Sequence, residues 1–179
     1  MMIYIINILT ISRILLGAII FLLIIKPEGH IFAFILFIIA GITDFFDGYL
    51  ARKYQLVSEI GEILDPIADK ILIIFILFGL SVNLGSYFIA FSGSIIITRE
   101  IWVSALRDYN ARKGNSNLTK VTFLAKIKTS MQLFTLSIYL IGLLLNNMFL
   151  IIIGDLLLLL SLIITIYTGY IYTVNTFKN

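Results

Sequence analysis

Residues 43–70 read TDFFDGYLARKYQLVSEIGEILDPIADK. Two pairs of carboxylates punctuate the stretch, Asp44 with Asp47 at i and i+3, then Asp65 with Asp69 at i and i+4. On an α-helix each of these spacings sets both side chains on one face. An apolar run precedes the first pair, IFAFILFIIAGI at 31–42, and another follows the second, ILIIFILFGL at 71–80. The turn between the pairs is polar. The stretch therefore predicts a helical hairpin in an apolar medium, with four acids gathered near its tip.

The rest of the chain supplies that medium. Of 179 residues, 60% are apolar and 13% are charged. A soluble domain has roughly 45–50% and about 25%. A water-soluble globule of this size could not keep its surface polar, and disorder is excluded for the same reason. No cysteine is present, which rules out a disulfide scaffold and a thiolate metal site and leaves the redox compartment unread. A spanning helix needs about 20 mostly apolar residues. Six segments meet or approach this, at 8–25, 31–51, 60–80, 86–106, 125–145 and 148–173. Their connections are short, as between antiparallel neighbours, and the longest, 108–122, is polar. The expectation is an all-α, polytopic membrane protein: one domain over residues 1–179, a six-transmembrane-helix bundle without internal repeats.

Basic residues orient the bundle. Arg13, Arg52, Lys53, Lys70, Arg99, Arg107, Arg112, Lys113, Lys120, Lys126, Lys128 and Lys178 fall on one side of a six-helix arrangement, and Lys26 on the other. Both termini and the acidic hairpin tip are therefore expected on the cytoplasmic side. The net charge of +3 follows from this asymmetry, and no nucleic-acid motif accompanies it. The first segment lacks a preceding Lys or Arg and carries Arg13 inside it, unlike a cleaved signal.

A charge at the centre of a spanning helix costs about 2.5–3.5 kcal/mol, so acids within spans call for a function. Consecutive antiparallel helices bring Asp44, Asp47, Asp65 and Asp69 to one depth, where they repel unless cations or protons intervene. Hard oxygen ligands, with no Cys and a remote His30, favour Mg²⁺ or Mn²⁺ over Zn²⁺. Four converging carboxylates suit a two-ion site about 3.5–4 Å across. Gly48, Ala51 and Gly61 leave room beside the helices for a ligand, and Arg52 offers a planar cation for phosphate or for orienting a carboxylate.

The pattern D-x-x-D-G-x-x-A-R, eight residues, then G-x-x-x-D-x-x-x-D is filled by Asp44, Asp47, Gly48, Ala51, Arg52, Gly61, Asp65 and Asp69. It resembles the signature of the CDP-alcohol phosphatidyltransferases. The resemblance implies a six-helix membrane enzyme, commonly a homodimer, that transfers a phosphatidyl group from a CDP-linked lipid to an alcohol and releases CMP. It extends to an N-x-x-T-x-x-R stripe of Asn7, Thr10 and Arg13. The segments ITREIWVSALRD at 97–108 and KIKTS at 126–130 are similar to those of family members acting on glycerol 3-phosphate.

The implied reaction joins CDP-diacylglycerol to sn-glycerol 3-phosphate, giving phosphatidylglycerol phosphate and CMP in a bacterial inner membrane. The resemblance implies Asp44, Asp47, Asp65 and Asp69 as metal ligands, with Asp69 also the general base. Asn7, Thr10, Gly48, Ala51, Arg52 and Gly61 are expected at the nucleotide end, and Arg99, Arg107 and Lys126 at the acceptor's phosphate. Lys126 and Lys128 cannot face the same way.

Other readings compete. The acceptor could be serine, inositol phosphate or phosphatidylglycerol. A divalent-cation transporter would use the acids as a transit site, but such folds often repeat their broken helices in both halves, and the acids here are confined to the second and third segments. A non-catalytic lipid-binding scaffold would have no need of an intact motif. Glu100 is expected to pair with an Arg or to cap a polar patch. Asp155 is expected at a surface or in a helix–helix hydrogen bond, and His30 in a solvated loop. Pro66 either opens the third helix or lies inside one that begins near residue 58.

Overall fold

Apolar stretches of this length satisfy their backbone polar groups internally by forming helices. The computed structural model describes the backbone of residues 2–54, 59–120 and 122–178, and the side chains of 10–44, 46, 64, 67–120 and 122–178. Among these residues there are six α-helices: α1 Met2–Ile24, α2 His30–Tyr54, α3 Glu59–Leu84, α4 Tyr87–Arg112, α5 Phe123–Leu144 and α6 Met148–Phe177. Short 3-10 turns, Pro27–Gly29 and Ser116–Thr119, lie in two of the connections. Because α3 begins at Glu59, Pro66 lies inside the helix and does not open it.

The starts of three helices are written in the sequence. The side chains of Ser86, Thr122 and Asn147 accept hydrogen bonds from the free backbone N–H groups of Ile89, Ala125 and Phe149 at 3.3, 3.2 and 2.9 Å. Gly85 stops α3 with a φ of 58°, a left-handed conformation that glycine adopts without Cβ strain.

Contacts at both ends fix the helix directions. Arg13 of α1 meets Asp44 of α2 and Asp69 of α3 at one end. At the other, the carbonyl of Ile24 of α1 meets His30 of α2 and Asn83 of α3. Helices α1 and α3 therefore run together with α2 antiparallel. His30 is the half-buried first residue of α2, its Nε2 3.1 Å from the Ile24 carbonyl oxygen, and not a loop residue as expected. Arg99 and Asn110 of α4 reach Thr168 and Thr176 of α6, so these two helices run parallel.

Helix α3 is central, packing on α1, α4 and α5. Its Leu72, Ile76, Leu77 and Leu80 are buried with Ile20 and Ile24 of α1, Ile89 and Ile96 of α4, and Leu136 and Leu140 of α5. The outside is also apolar. Leu15, Leu22, Phe91, Phe149 and Ile163 are all more than half exposed. Such a surface is stable against lipid and not against water. Helices α2 to α6 each provide a stretch long and apolar enough to cross a membrane, and the described part of α1, Thr10–Ile24, is a shorter apolar helix. The fold is thus an all-α, multi-spanning membrane bundle. Five described spans meet the length criterion, against the six expected.

Candidate active site

Two residues of the N-x-x-T-x-x-R stripe of α1, Thr10 and Arg13, have described side chains. Thr10 and Arg13, about one turn apart, are both buried. Arg13 is 1% exposed, and its Nη1 lies 2.7 Å from Asp44 Oδ1 and 2.6 Å from Asp69 Oδ1. One guanidinium nitrogen thus joins carboxylates from two helices, placing those carboxylates within two hydrogen-bond lengths of each other. Both acids remain about half exposed, at 48% and 46%. Two of the four acids expected at one depth are thus brought together, with the Arg13 guanidinium between them.

The side chains of Asn7, Asp47, Gly48, Ala51, Arg52, Gly61 and Asp65 lie outside the described residues, although their backbones belong to α1, α2 and α3. Among the described residues no group of three or more His, Cys, Asp or Glu side chains comes together. The described pair, Asp44 and Asp69, is an all-oxygen donor set. Its chemistry fits a hard divalent cation and does not suit a soft one.

Asp69 also faces a second space. A cavity of about 310 Å³ is lined by Asp69 and Lys70 of α3, Glu100 and Arg107 of α4, and Lys128 and Gln132 of α5, over a floor of isoleucines that includes Ile73 and Ile96. Three cations, Lys70, Arg107 and Lys128, therefore share a cavity with Asp69 of the carboxylate pair. Lys70 donates from Nζ to Ser104 Oγ at 2.5 Å. Glu100 Oε1 accepts from both Arg99 Nη1, at 2.9 Å, and Lys128 Nζ. Lys128 is only 5% exposed and is held by that carboxylate. The Arg107 guanidinium lies over the Tyr172 ring, 5.6 Å from its centre. The Tyr172 hydroxyl in turn accepts from the backbone N–H of Thr122 at 3.2 Å, which ties the α4–α5 connection to α6.

The expected acceptor residues separate here. Arg107 lines the cavity. Arg99 does not: its Nε donates to the Thr165 carbonyl at 3.0 Å and its Nη2 to Thr168 Oγ1 at 2.7 Å. Gly169 permits this, since a Cβ there would lie 3.0 Å from Arg99 Cγ. Lys126 is exposed, and Lys128, two residues on, takes the cavity position. The sequence singled out neither Lys70 nor Gln132, and of the two lysines that could not face the same way it favoured Lys126 over Lys128. Gln132 follows Lys128 by one turn and is 4% exposed, so the i, i+4 spacing was the signal available.

The sequence profile of the CDP-alcohol phosphatidyltransferase family matches residues 3–167. The chain belongs to the CDP-alcohol phosphatidyltransferase family. Among relatives in that family, it is 41% identical over 169 residues to the CDP-diacylglycerol–glycerol-3-phosphate 3-phosphatidyltransferase of Rickettsia bellii, covering 93% of this chain and 91% of that one. To the enzyme of the same name from Rickettsia typhi it is 40% identical over 171 residues, 93% of each chain. To that of Blochmanniella floridana it is 40% identical over 144 residues, 79% of this chain and 74% of the other. Membership of the phosphatidyltransferase family supports a divalent cation in the chemistry, which the Asp44–Asp69 donor set fits.

Proposed function

We propose that the protein is a CDP-diacylglycerol–glycerol-3-phosphate 3-phosphatidyltransferase, one domain over residues 1–179, in a bacterial inner membrane. Its six helices would cross the membrane with both termini and the acidic cluster cytoplasmic. The observation that carries this reading is the position of Asp69. It stands between its pairing with Asp44 on Arg13, an all-oxygen donor set suited to a diphosphate-bound metal, and a cavity whose cations suit a phosphorylated alcohol. Relatives bearing that enzyme name at 40–41% identity support the choice of acceptor.

Asp44, Asp47, Asp65 and Asp69 would hold Mg²⁺ or Mn²⁺, as two ions. When bound, the metal supplies Lewis-acid stabilisation of charge on the donor's diphosphate and on departing CMP. The remaining work falls to side chains. Asn7, Thr10, Gly48, Ala51, Arg52 and Gly61 are assigned to the nucleotide end. Lys70, Arg107 and Lys128 fix the acceptor's dianionic phosphate, Arg107 through its forked donors.

Asp69 accepts the proton of the terminal acceptor hydroxyl as its oxygen bonds to the phosphatidyl phosphorus. The bond from that phosphorus to the bridging oxygen breaks, and CMP leaves with the electron pair. Apolar flanks let the acyl chains stay in the leaflet while the polar reactants meet at the end of the bundle.

The test is CMP release by purified protein from CDP-diacylglycerol and Mg²⁺ across a panel of alcohols. Release that depends on sn-glycerol 3-phosphate is expected. Release with serine, inositol phosphate or phosphatidylglycerol in its place would assign a different acceptor, and transport of the cation without CMP release would assign a different class.

A further inference from the structure

Every cation of the Asp69 cavity has a charged or hydroxyl partner, or lies over an aromatic ring. Gln132 does not. Its side chain is 4% exposed, it lines the cavity, and its Nε2 has no hydrogen-bond partner among the described residues. Thr129, one turn from Ala125 on the same helix, gives its hydroxyl to the Ala125 carbonyl at 3.3 Å. A buried amide N–H without a partner carries a desolvation cost, and a ligand oxygen that meets it removes that cost.

The acceptor has three polar parts, and the cavity's charges account for two. A dianionic phosphate matches Lys70, Arg107 and Lys128. The attacking primary hydroxyl needs a base, and of the two acids in the wall Glu100 is held by Arg99 and Lys128, which leaves the role to Asp69. The third part is the secondary hydroxyl on the central carbon. It is neutral, and it calls for a neutral partner that both donates and accepts, which a carboxamide does. Gln132 lies four residues beyond Lys128 on α5, about 6 Å along the helix axis and on the same face. That offset is comparable to the reach of a three-carbon phosphate ester.

Resting on the proposed acceptor, we infer that Gln132 is the specificity-determining residue for the central hydroxyl, its amide hydrogen-bonding that oxygen and so rejecting phosphorylated alcohols that lack it. The carboxamide takes no part in proton transfer. Its effect is on which acceptor is held and how it is oriented.

The experiment compares kcat/KM for sn-glycerol 3-phosphate and for 3-hydroxypropyl phosphate, the same chain without the central hydroxyl. CDP-diacylglycerol and Mg²⁺ are saturating, and the enzymes are the wild type and Gln132→Leu. The wild type is expected to prefer glycerol 3-phosphate by roughly 10- to 100-fold, the factor for leaving one buried donor unmet. Gln132→Leu is expected to lose that factor on glycerol 3-phosphate alone, so that the preference falls to near unity. A wild type that uses both compounds equally overturns the inference without any variant, as does a preference that survives in Gln132→Leu. Wild-type protein inert toward both compounds but active with another alcohol overturns the acceptor reading itself, and this inference with it.

Discussion

Lys126 and Lys128 stand two residues apart on α5, and their fates show how much one helical rotation decides. Lys128 is buried against Glu100 in the cavity, whereas Lys126 is exposed. The buried stripe of α5 is Ala125, Lys128, Gln132, Thr135, Leu136, Tyr139, Leu140 and Gly142. Three of its first four members are polar, so in the sequence it reads as the outward face. Nothing local distinguishes it until the helix is docked. A charge-assisted contact to phosphate is worth about 1.5–3 kcal/mol, or roughly 10- to 150-fold in affinity. Lys128→Met and Arg107→Ala should each raise the KM for glycerol 3-phosphate by that order and leave the KM for CDP-diacylglycerol nearly unchanged. Lys126→Met should leave both constants within about twofold, the ordinary range for a surface change. Steady-state kinetics with each substrate varied in turn checks all three variants.

Helices were the most legible scale. Apolar runs located α4, α5 and α6 to within a few residues at their starts. Asp44 of α2 and Asp69 of α3 come together on Arg13 of α1, the helix that packs against both, so their meeting depends on a third element that the i, i+3 and i, i+4 spacings do not specify. What the sequence could not show was the seam between α4 and α6. Arg99 spends its donors there on Thr165, Thr168 and Glu100, a pairing set by the close approach that Gly169 allows. Arg99→Leu should therefore destabilise the fold by about 2–4 kcal/mol, since it strands buried acceptors and removes one countercharge of Glu100. Thermal unfolding in detergent measures this.

A second element-scale pair sits apart from the site. Tyr139 on α5 donates to Asp155 Oδ1 on α6 at 2.6 Å, the helix–helix hydrogen bond that was one expectation for this acid. Tyr139→Phe should lower the unfolding temperature and leave turnover near wild type. Asp155→Leu in the same chain should restore part of the loss, because the acid left without its partner is then gone.

At the scale of the whole molecule, the membrane explains the composition and the composition provides a probe. The chain contains no cysteine, so a single introduced thiol reports one position without background. The turn at Ser116–Thr119 follows α4, at the end of the bundle near Asp69, and the α5–α6 turn at Asn146 lies at the other. With cytoplasmic termini, Asn115→Cys in intact cells should resist an impermeant maleimide and Asn146→Cys should react. The reverse pattern would invert the proposed orientation.

The central claim is that Asp69 joins a donor site to an acceptor site. It is tested most directly by Asp69→Asn, assayed for transfer of labelled sn-glycerol 3-phosphate into extractable lipid and, separately, for binding of CDP-diacylglycerol in the presence of Mg²⁺. The account predicts that transfer falls by at least about 100-fold, the lower range for a general base, while most donor binding is kept. Transfer near the wild-type rate, or loss of donor binding with transfer restored at high Mg²⁺, would contradict it.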